Sequence, residues 1–410
     1  MQTTLPAASP PLLRRLNSAL VLDLIRSRGP LSRTDLAALA GLSKPTVNEV
    51  VELLKAAGYV SESAAAPGGG PRRPGRPARL LRFRADLGHV LGIDIGADKV
   101  LALVSDLSGS IVGSHRRATG GDGRPRRAAL LRDVRAAAAA ALRAGSVKRD
   151  SLTSVGVGTP GVVDPTSGRV TLAPQIEGWE GIELAREIGR SFPCPVVVDN
   201  EVHLSLLAER WRGAARGVDN AFYVQLGVGI GGGILIGGEL YRGADGAAGE
   251  IGYLPFGGDE DASKLGPGPF ERSAGAHGFA SLGRAAASGA DGALLSELAG
   301  GDPGAVTAET VFAAARRADP AAARVVSTLV ERIARGVAAG VAVLNPEAVI
   351  VGGGISQAGP ALLEPLERRV RELVPLPPPL VASALADEAT ALGAVRAAIE
   401  VADERLFAFR

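Results

Sequence analysis

One stretch of this 410-residue chain combines glycine with strand-forming residues in a way that could hold a ligand. Val224–Gly233 reads V-Q-L-G-V-G-I-G-G-G, in which five of the seven residues from Gly227 to Gly233 are glycine. Apolar residues on both sides predict a strand, a tight turn and a returning strand. Glycines at such a turn let a ligand approach the backbone, or supply N–H groups to an anion. A plain Gly-rich hairpin is the competing interpretation.

The triplet Asp199-Asn200-Glu201 is a second candidate for chemistry, because it follows a short β-type run over 195–198. In open α/β sheets, ligands bind outside the carboxyl ends of the strands. Carboxylate groups at that edge can accept hydrogen bonds from a ligand, and an amide group can both accept and donate them. We therefore expect a ligand cleft at this strand end.

An earlier copy of the glycine pattern also favours a cleft. Leu91–Gly96 reads L-G-I-D-I-G and precedes a second apolar run over 99–104. Two strand–glycine–strand units, each opening an α/β segment, indicate a duplicated fold of two lobes with a cleft between them.

The elements that must position these residues follow from apolar spacing and turn signals. From His89 the chain predicts three antiparallel strands and then, over 155–161, a buried strand that ends in a tight loop. The other predicted elements are helices over 127–145, 181–191, 202–211 and most of 270–340, a strand and Gly loop over 345–354, and a last helix from Ala391.

Composition disfavours several classes of protein. Hydrophobic residues make up 46% of the chain, but there is no uninterrupted apolar run of the length that a membrane span needs. The N-terminus lacks the apolar core of a signal peptide. The single cysteine, Cys194, excludes an intrachain disulfide and fits a reducing compartment. We expect a cytoplasmic protein with no membrane partner.

Charge is distributed unevenly between the two parts of the chain. Residues 1–85 carry 13 Lys/Arg against 5 Asp/Glu, whereas the remainder carries 32 against 38. A basic head on an acidic body indicates a module that binds a polyanion.

The basic head has the outline of a winged helix-turn-helix. Leucines at 13, 16, 20 and 24 form a stripe at helical spacing, which predicts an amphipathic helix over 12–28. Ser32 and Ser43 then cap two helices that end at Gly41 and Gly58, and a short strand follows. This order of elements is typical of the motif. An ordinary three-helix bundle with solvated charges is the alternative.

The third predicted helix supplies candidate DNA contacts. Its apolar residues at 47, 50, 51 and 54 are expected to face inward, which leaves polar side chains outward at its start. Such groups can bind phosphates and base edges in a major groove. The candidates are Ser43, Lys44, Thr46 and Asn48.

An arginine-rich segment follows the head's short strand. Residues 67–77 read P-G-G-G-P-R-R-P-G-R-P, and residues 67–84 together contain six arginines and no acid. As a wing, this segment would bring Arg72, Arg73 and Arg76 to the DNA, with Arg76 in a narrow minor groove. A bare linker is the competing interpretation.

Seven sequence blocks, taken in order, resemble those of the ROK family, which contains sugar kinases and sugar-responsive repressors. The blocks are G-I-D-I-G-A, G-T-P-G, P-Q-I-E-G-W, D-N-E, L-G-V-G-I-G-G-G, G-E-I-G-Y and I-V-G-G-G-I-S, and the resemblance runs from residue 12 to roughly residue 400. It implies an N-terminal winged helix-turn-helix followed by a two-lobed α/β actin-like (ribonuclease H-like) ATPase fold. The head marks the repressor branch, which includes xylose- and N-acetylglucosamine-type repressors.

Departures from the family pattern imply that kinase chemistry has been lost. The catalytic Asp of family kinases is replaced by Glu201, whose extra methylene displaces the carboxylate, so that the catalytic base position is degenerate. The first phosphate loop ends Ala97-Asp98-Lys99 instead of Gly-Thr-Lys, and Val228 replaces a threonine in the second. A carboxylate beside a triphosphate is repulsive. The loops of Asp94, Gly96, Gly227 and Gly229 are therefore expected to be degenerate, and neither enzymatic activity nor a cofactor is expected.

The family's structural zinc site is also missing from the sequence. Family members hold zinc with one histidine and three cysteines, but here Tyr253 replaces the histidine and no cysteine follows it. Thiolate and imidazole are what a tetrahedral zinc site needs. We therefore expect no metal.

By position in the family pattern, six polar residues would bind a sugar effector through its hydroxyl groups. They are Gln175, Asn200, Glu201, Glu250, Tyr253 and Glu271. For Gln175 alone, a satisfied loop residue is the favoured alternative. A core position is favoured for Trp179 and a packing role for His203.

These observations predict three domains. Residues 1–85 form the DNA-binding domain, residues 86–200 with a C-terminal helix over 388–404 form the first lobe, and residues 201–387 form the second lobe with dimerisation helices. Helical surfaces in 276–340 and 360–375 are the expected dimer contacts.

The expected function is a regulator responsive to a sugar or sugar derivative. It would repress transcription by binding double-stranded operator DNA as a homodimer or higher homo-oligomer. An active ATP-dependent sugar kinase with an attached DNA-binding domain is one alternative. A DNA-binding scaffold whose body binds a protein partner is the other.

Overall fold

A computed structural model of the protein describes residues 10–64, 79–119, 126–256 and 266–406. Head and body are both present in these ranges, and each is built around its own sheets. None of the helices in the described ranges combines the length and hydropathy that crossing a membrane would require.

The head is a winged helix-turn-helix, as predicted. Ser32 caps its second helix in a capping box with Asp35, and Ser43 caps its third, with the side-chain oxygen of each accepting a backbone N–H. The head consists of α1 (Pro10–Arg28), β1 (Leu31–Ser32), α2 (Arg33–Ala40), α3 (Lys44–Ala56), β2 (Val60–Ala64) and β3 (Arg79–Phe83). Strand β3 lies between β1 and β2 and is antiparallel to both.

The interior of the head contains the predicted inward face of α3 but not most of the leucine stripe of α1. The four apolar residues predicted to face inward on α3 are all buried. On α1, however, the stripe of Leu13, Leu16 and Leu20 is exposed. The buried face is the one that carries Ser18, Val21, Leu22 and Ile25. Leucine spacing identified the helix but not its inward face.

The first lobe is a five-stranded sheet in the order β10-β7-β4-β5-β6. Strands β4, β5 and β6 form the predicted antiparallel meander, and β7 and β10 add to it in parallel. Its elements are β4 (His89–Ile95), β5 (Lys99–Asp106), β6 (Ile111–Ala118), α4 (Arg127–Ala144), β7 (Leu152–Thr159), β8 (Val162–Val163), β9 (Val170–Leu172), α5 (Leu184–Gly189) and β10 (Val196–Asn200).

Helix α5 is shorter than the 181–191 helix that the sequence predicts. Gly181 has a positive φ of 79°, and Glu183 forms a β-bridge with Arg169, so the chain is extended until Leu184. Glu183 is therefore the N-cap residue, and its carbonyl oxygen accepts the N–H of Glu187, so the helix begins three residues later than predicted.

The second lobe repeats the strand order of the first. Its five-stranded sheet runs β13-β12-β11-β14-β15, with an antiparallel meander first and two parallel additions after it. Helix α6 (Glu201–Arg212) leads into β11 (Ala221–Leu226), β12 (Ile230–Ile236), β13 (Glu239–Leu240), α7 (Pro269–Ala274), α8 (Ala276–Ala287), α9 (Ala293–Leu298), α10 (Ala308–Arg316), α11 (Pro320–Leu344), β14 (Ala348–Gly352), α12 (Pro360–Leu373), β15 (Leu380–Ala382) and α13 (Ala389–Leu406). The repeated order confirms the duplicated two-lobed fold and the predicted Gly-rich hairpin, which is β11–β12.

Helix α13 is wedged between the first sheet and α6. A Cβ added to Gly156 on β7 would lie 2.0 Å from the carbonyl oxygen of Ala394, and one added to Gly393 would lie 1.8 Å from that of Leu204. Only glycine allows backbones to approach this closely. The C-terminal helix is thus an integral part of the first lobe's packing.

Candidate functional site

The predicted cleft residues Glu201, Glu250 and Glu271 come from three separate segments of the chain. Glu201 opens α6 directly after β10, at the carboxyl edge of the first sheet. Glu271 lies in α7, and its Oε2 accepts the backbone N–H of Ile230 at 3.3 Å. Glu250 precedes a short 3₁₀ turn, Ile251–Tyr253, that follows the β11–β12 hairpin. The hairpin therefore helps to bring the three carboxyl groups together.

Burial and mutual repulsion raise the pKa values of the acidic side chains in this cleft. Burial first, and then the charges of Asp94, Glu250 and Glu271, raise the pKa of Glu201 to about 8. Burial raises the pKa of Asp94 to about 6, and it also raises the pKa values of Glu250 and Glu271. Because Glu201 is mostly protonated near neutral pH, it can donate a hydrogen bond as well as accept one. Gln225 Nε2 donates to Oε1 of Glu201 at 3.2 Å.

Asn200 has a structural role that takes up most of its hydrogen-bonding capacity. Its Oδ1 caps α6 by accepting the N–H of Val202 at 2.7 Å and that of His203 at 3.3 Å. Its Nδ2 donates to the carbonyl oxygen of Gly161 at 2.8 Å. One amide N–H is left for a ligand, so the predicted effector contact of Asn200 is reduced to that single donor.

A buried network beside the cleft was not identified from the sequence. Asp199 Oδ1 lies 3.0 Å from Nδ1 of His203, and its Oδ2 accepts from Nε of Arg242 at 2.9 Å. The second ring nitrogen of His203 lies 3.1 Å from the carbonyl oxygen of Ala248. Burial alone would raise the pKa of Asp199, but the hydrogen bond from His203 and the charge of Arg242 lower it.

This network fixes the segment that carries Glu250. Asp199 ends the first sheet, whereas Arg242 and Ala248 belong to the second lobe, so the contacts join the lobes behind the cleft. The packing role expected for His203 is confirmed, since its side chain is buried. The i, i+4 spacing of Asp199 and His203 was the sequence signal available for part of the network.

Two further predicted effector residues lie in different surroundings. Tyr253 Oη donates to the carbonyl oxygen of Gly266 at 3.1 Å, which occupies its hydroxyl hydrogen. Oε1 of Gln175 is buried and accepts no hydrogen bond in the part of the chain that the structure describes. A buried acceptor of this kind favours a ligand donor. Trp179 is fully buried and donates to Oγ1 of Thr159 at 2.8 Å, which confirms its core position.

The two phosphate-loop turns are closed upon themselves. Gly96 donates its N–H to the carbonyl oxygen of Lys99 at 2.8 Å, and Gly227 donates to that of Gly229 at 3.0 Å. These two amides are therefore not directed at a ligand. Asp94, at the end of β4, is buried, and Val228 is 69% exposed at the tip of its turn.

Lys99, beside the first of these loops, is also bound by another residue of the chain. Lys99 Nζ donates to the backbone oxygen of Asp387 at 2.8 Å and lies 3.3 Å from its carboxylate. Arg116 donates to the same carboxylate at 2.7 Å. Lys99 and Arg116 are thus both paired with the carboxylate of Asp387.

The residues present do not fit the family's zinc ion. Tyr253, at the position of the histidine ligand, offers a phenol that is bonded to a backbone oxygen. Cys194 packs against the apolar core of the first lobe. No group of His, Cys, Asp and Glu side chains in the described ranges is arranged to hold a metal.

The start of α3 forms the candidate nucleic-acid interface. Lys44 and Asn48 are exposed there, whereas the hydroxyl groups of Ser43 and Thr46 lie 2.8 Å apart in the helix cap. Asn48 Oδ1 accepts from Nη1 of Arg33 at 3.2 Å. Arg72, Arg73 and Arg76 lie outside the described residues.

A carboxylate in the wing aligns this interface. Glu62 on β2 is nearly buried and accepts from Arg33 of α2 and, at 2.7 Å, from Lys55 of α3. Hydrogen bonds from Lys55 and Arg33 outweigh burial and lower the pKa of Glu62. Since one residue binds two helices, it fixes the wing strand relative to the recognition helix.

Fold and site together define a class of protein: a winged helix-turn-helix head joined to a two-lobed body of the sugar-kinase type. The chain belongs to the ROK family, whose model matches residues 90–401, and a model described as MarR family matches residues 14–70.

Known transcriptional regulators and known sugar kinases both resemble the chain. It is 30% identical to the xylose repressor of Caldicellulosiruptor bescii over 88% of each chain. A ROK family transcriptional regulator, described as a homologue of the E. coli MLC protein, has the same fold with a TM-score of 0.74, 23% identity and 97% coverage of both chains. A ROK family glucokinase from Streptomyces griseus, solved with glucose and AMPPNP, is 29% identical, with a TM-score of 0.67, over 76% of this chain and 100% of its own.

Proposed function

We propose that the protein is a sugar-responsive transcriptional repressor. Its head binds operator DNA through the start of α3, and its cleft binds a sugar or sugar derivative. The observation that carries this proposal is the presence, in one chain, of a winged helix-turn-helix and a sugar-kinase body whose predicted phosphate loops are closed by their own hydrogen bonds. The likeness to a xylose repressor along most of both chains supports it.

The proposed effector site is the acidic cleft around Glu201. Protonated Glu201, the acceptors Glu250 and Glu271, the free amide hydrogen of Asn200, Tyr253 and the unsatisfied oxygen of Gln175 offer donors and acceptors in the mixture that a polyol requires. Ligand hydroxyl groups would replace water beside the buried carboxyl groups.

Thermal shift with a panel of aldoses and amino sugars tests the effector claim. A sugar that binds the native state must raise the Tm, by the equivalent of about 2.7 kcal/mol at a hundredfold excess over Kd. Glu250→Gln should abolish the shift and Glu239→Gln, on the exposed strand β13, should preserve it. If every sugar leaves Tm unchanged, the effector claim is wrong. The alternative function, a DNA-binding scaffold whose body binds a protein partner, is then favoured.

Electrophoretic mobility on DNA from around the protein's own coding sequence tests the DNA claim. Specific binding that a sugar of the panel weakens is the expected result. Lys44→Ala should weaken binding, whereas Lys148→Ala, an exposed lysine on the body, should not. Absence of any shift at low salt contradicts the proposal.

A sugar kinase is the second candidate, favoured by the likeness to the glucokinase and by the carboxyl group of Glu201 at the base position. We propose that the chain is not an enzyme. Closed phosphate turns and Lys99 bound to Asp387 would have to rearrange before a triphosphate could bind. A coupled assay with the same sugars and ATP decides, because phosphorylation at rates typical of kinases, of order 1–100 per second, overturns the proposal.

The working form that we propose is a cytoplasmic homodimer, since pseudo-palindromic operators are read by two heads. The long helices α11 and α12, within the predicted contact surfaces, are the proposed interface. Sedimentation at several protein concentrations tests this, and a monomer at every concentration would exclude it.

A further inference from the structure

The last turns of α13 are bound to the head. Arg26 of α1 donates from Nη1 to both carboxylate oxygens of Asp403, at 2.8 and 2.7 Å. Tyr59, which precedes β2, donates its hydroxyl to the backbone oxygen of Leu406. Arg26 and Asp403 are only 14% and 25% exposed, so this ion pair is largely shielded from solvent.

Apolar packing continues across the same contact. Val21 and Ile25 of α1 belong to one buried cluster with Val395, Ile399 and Ala402 of α13. A head attached only by a linker would keep its own separate core. The head is therefore held on α13 by a continuous apolar contact and by the ion pair between Arg26 and Asp403.

The other end of α13 is bound at the cleft. Thr390, in its first turn, lies 3.0 Å from Oγ of Ser205, and its hydroxyl also donates to the backbone oxygen of Glu201 at 3.4 Å. Buried Glu209, later on α6, accepts from Ser383 and from the N–H of Leu385 at 3.2 Å, in the segment that leads into α13. Because Gly393 lies directly against α6, the two helices cannot slide past each other without breaking these contacts.

We propose that α13 couples the effector cleft to the head, and that Asp403 is the residue that positions the head on it. This inference rests on the proposed function. A ligand that moves Glu201 moves the N-terminus of α6, and α13 follows as a rigid element. Its 18 residues extend over about 27 Å, so a small rotation at Thr390 becomes a larger displacement at Asp403.

A distance measurement tests the positioning role without any sugar. Spin labels on Leu39→Cys in the head and on exposed Lys148→Cys in the first lobe, in a Cys194→Ser background and diluted with unlabelled protein, report the head's position within one protomer. The unaltered Asp403 should give one narrow distance distribution, and Asp403→Asn should broaden or shift it. Glu400→Gln is the matched control, because Glu400 pairs only with Arg396 within α13 among the ion pairs described.

Charge reversal separates positioning from simple loss of stability. Arg26→Asp alone should disturb the distribution, and Arg26→Asp combined with Asp403→Arg should restore it. An unchanged distribution in Asp403→Asn overturns the inference, as does a failure of the double variant to recover while its Tm matches that of the parent protein.

Operator binding with and without sugar tests the coupling. In the wild type, a sugar that raises Tm should change operator affinity by about 5- to 150-fold, the usual range of coupling. In Asp403→Asn the sugar should still raise Tm, but the ratio should fall towards one. If the ratio persists, α13 is not the coupling element. If no sugar raises Tm, the proposed effector site fails, while the distance measurement still decides the positioning role.

Discussion

The guanidinium of Arg242 lies 2.8 Å from the carboxylate of Asp199, and this ion pair joins the second lobe to the end of the first sheet. Asp199 is nearly buried, whereas Arg242 remains about one-third exposed. The pair thus stabilises one relative arrangement of the two lobes. His203 contacts the other carboxylate oxygen of Asp199.

Removing the arginine should destabilise the protein. Arg242→Ala leaves Asp199 with the imidazole of His203 as its remaining side-chain partner, and we expect a loss of about 1–3 kcal/mol in the free energy of unfolding. Urea unfolding measures it. Arg210→Ala is the control, because Arg210 is similarly exposed but its partner Asp219 is in solvent, and its loss should be below about 1 kcal/mol. Equal losses in the two variants would contradict the role of burial.

Stability should fall as the pH rises above the ordinary range of a glutamate. The folded state keeps the protons of Glu201, whose pKa is about 8, and Asp94, whose pKa is about 6, at pH values where the unfolded chain has released them. The folded state therefore binds more protons, so the free energy of unfolding decreases as the pH rises through about 5 to 8. Urea unfolding across this range measures the slope.

Two substitutions identify the origin of that slope. Glu201→Gln should reduce the slope, most of all between about pH 6 and 8, because the amide does not titrate and Asp94 contributes mainly below that range. Glu331→Gln should leave it unchanged, since hydrogen bonds from Arg369 and Arg335 lower the pKa of Glu331 to about 2 and it is ionised throughout this range. A slope that survives Glu201→Gln intact would show that Glu201 titrates normally.

Glycine at position 393 is required for the contact between α6 and α13. Gly393→Ala places a methyl group against the carbonyl oxygen of Leu204, and we expect a loss of about 1–3 kcal/mol or more from overpacking. Gly354→Ala is the control, because nothing lies within 4 Å of its added Cβ. Thermal unfolding compares the two, and a stable Gly393→Ala protein would show that the helices can separate at low cost.

The two candidate DNA contacts on α3 should differ in kind. Lys44→Ala should weaken binding to all DNA sequences. It should also reduce the slope of log affinity against log salt concentration by about 1. Asn48→Ala should cost about 1–3 kcal/mol and relax the preference at a single base pair. Titrations of operator and unrelated DNA at several salt concentrations measure both effects. The same loss on both DNAs for Asn48→Ala would assign Asn48 to the backbone instead.

Sequence patterns predicted what depends on local chemistry. The caps at Ser32 and Ser43, the inward face of α3 and the hairpin of β11 and β12 all follow from spacing or turn chemistry within a few residues. The gathering of Glu201, Glu250 and Glu271 came from the family resemblance, and the structure places them together.

Contacts between distant residues could not be predicted in the same way. Arg26 and Asp403 are separated by 377 positions, and Asp199 and Arg242 by 43, so only the packed fold brings them together. The exposed leucines of α1 show the same limit, because the inward face was decided by what α13 and β3 offer and not by the richest apolar stripe.

Helix α13 is synthesised after every other element described, yet it fills the space between β4, β7 and α6. During translation, the first lobe therefore lacks one side of its core, and the head lacks its contact surface, until residues 389–406 have left the ribosome. A nascent or prematurely terminated chain would carry a head in no fixed orientation. Occupancy of the operator would then be restricted to molecules whose synthesis has reached the end of this helix.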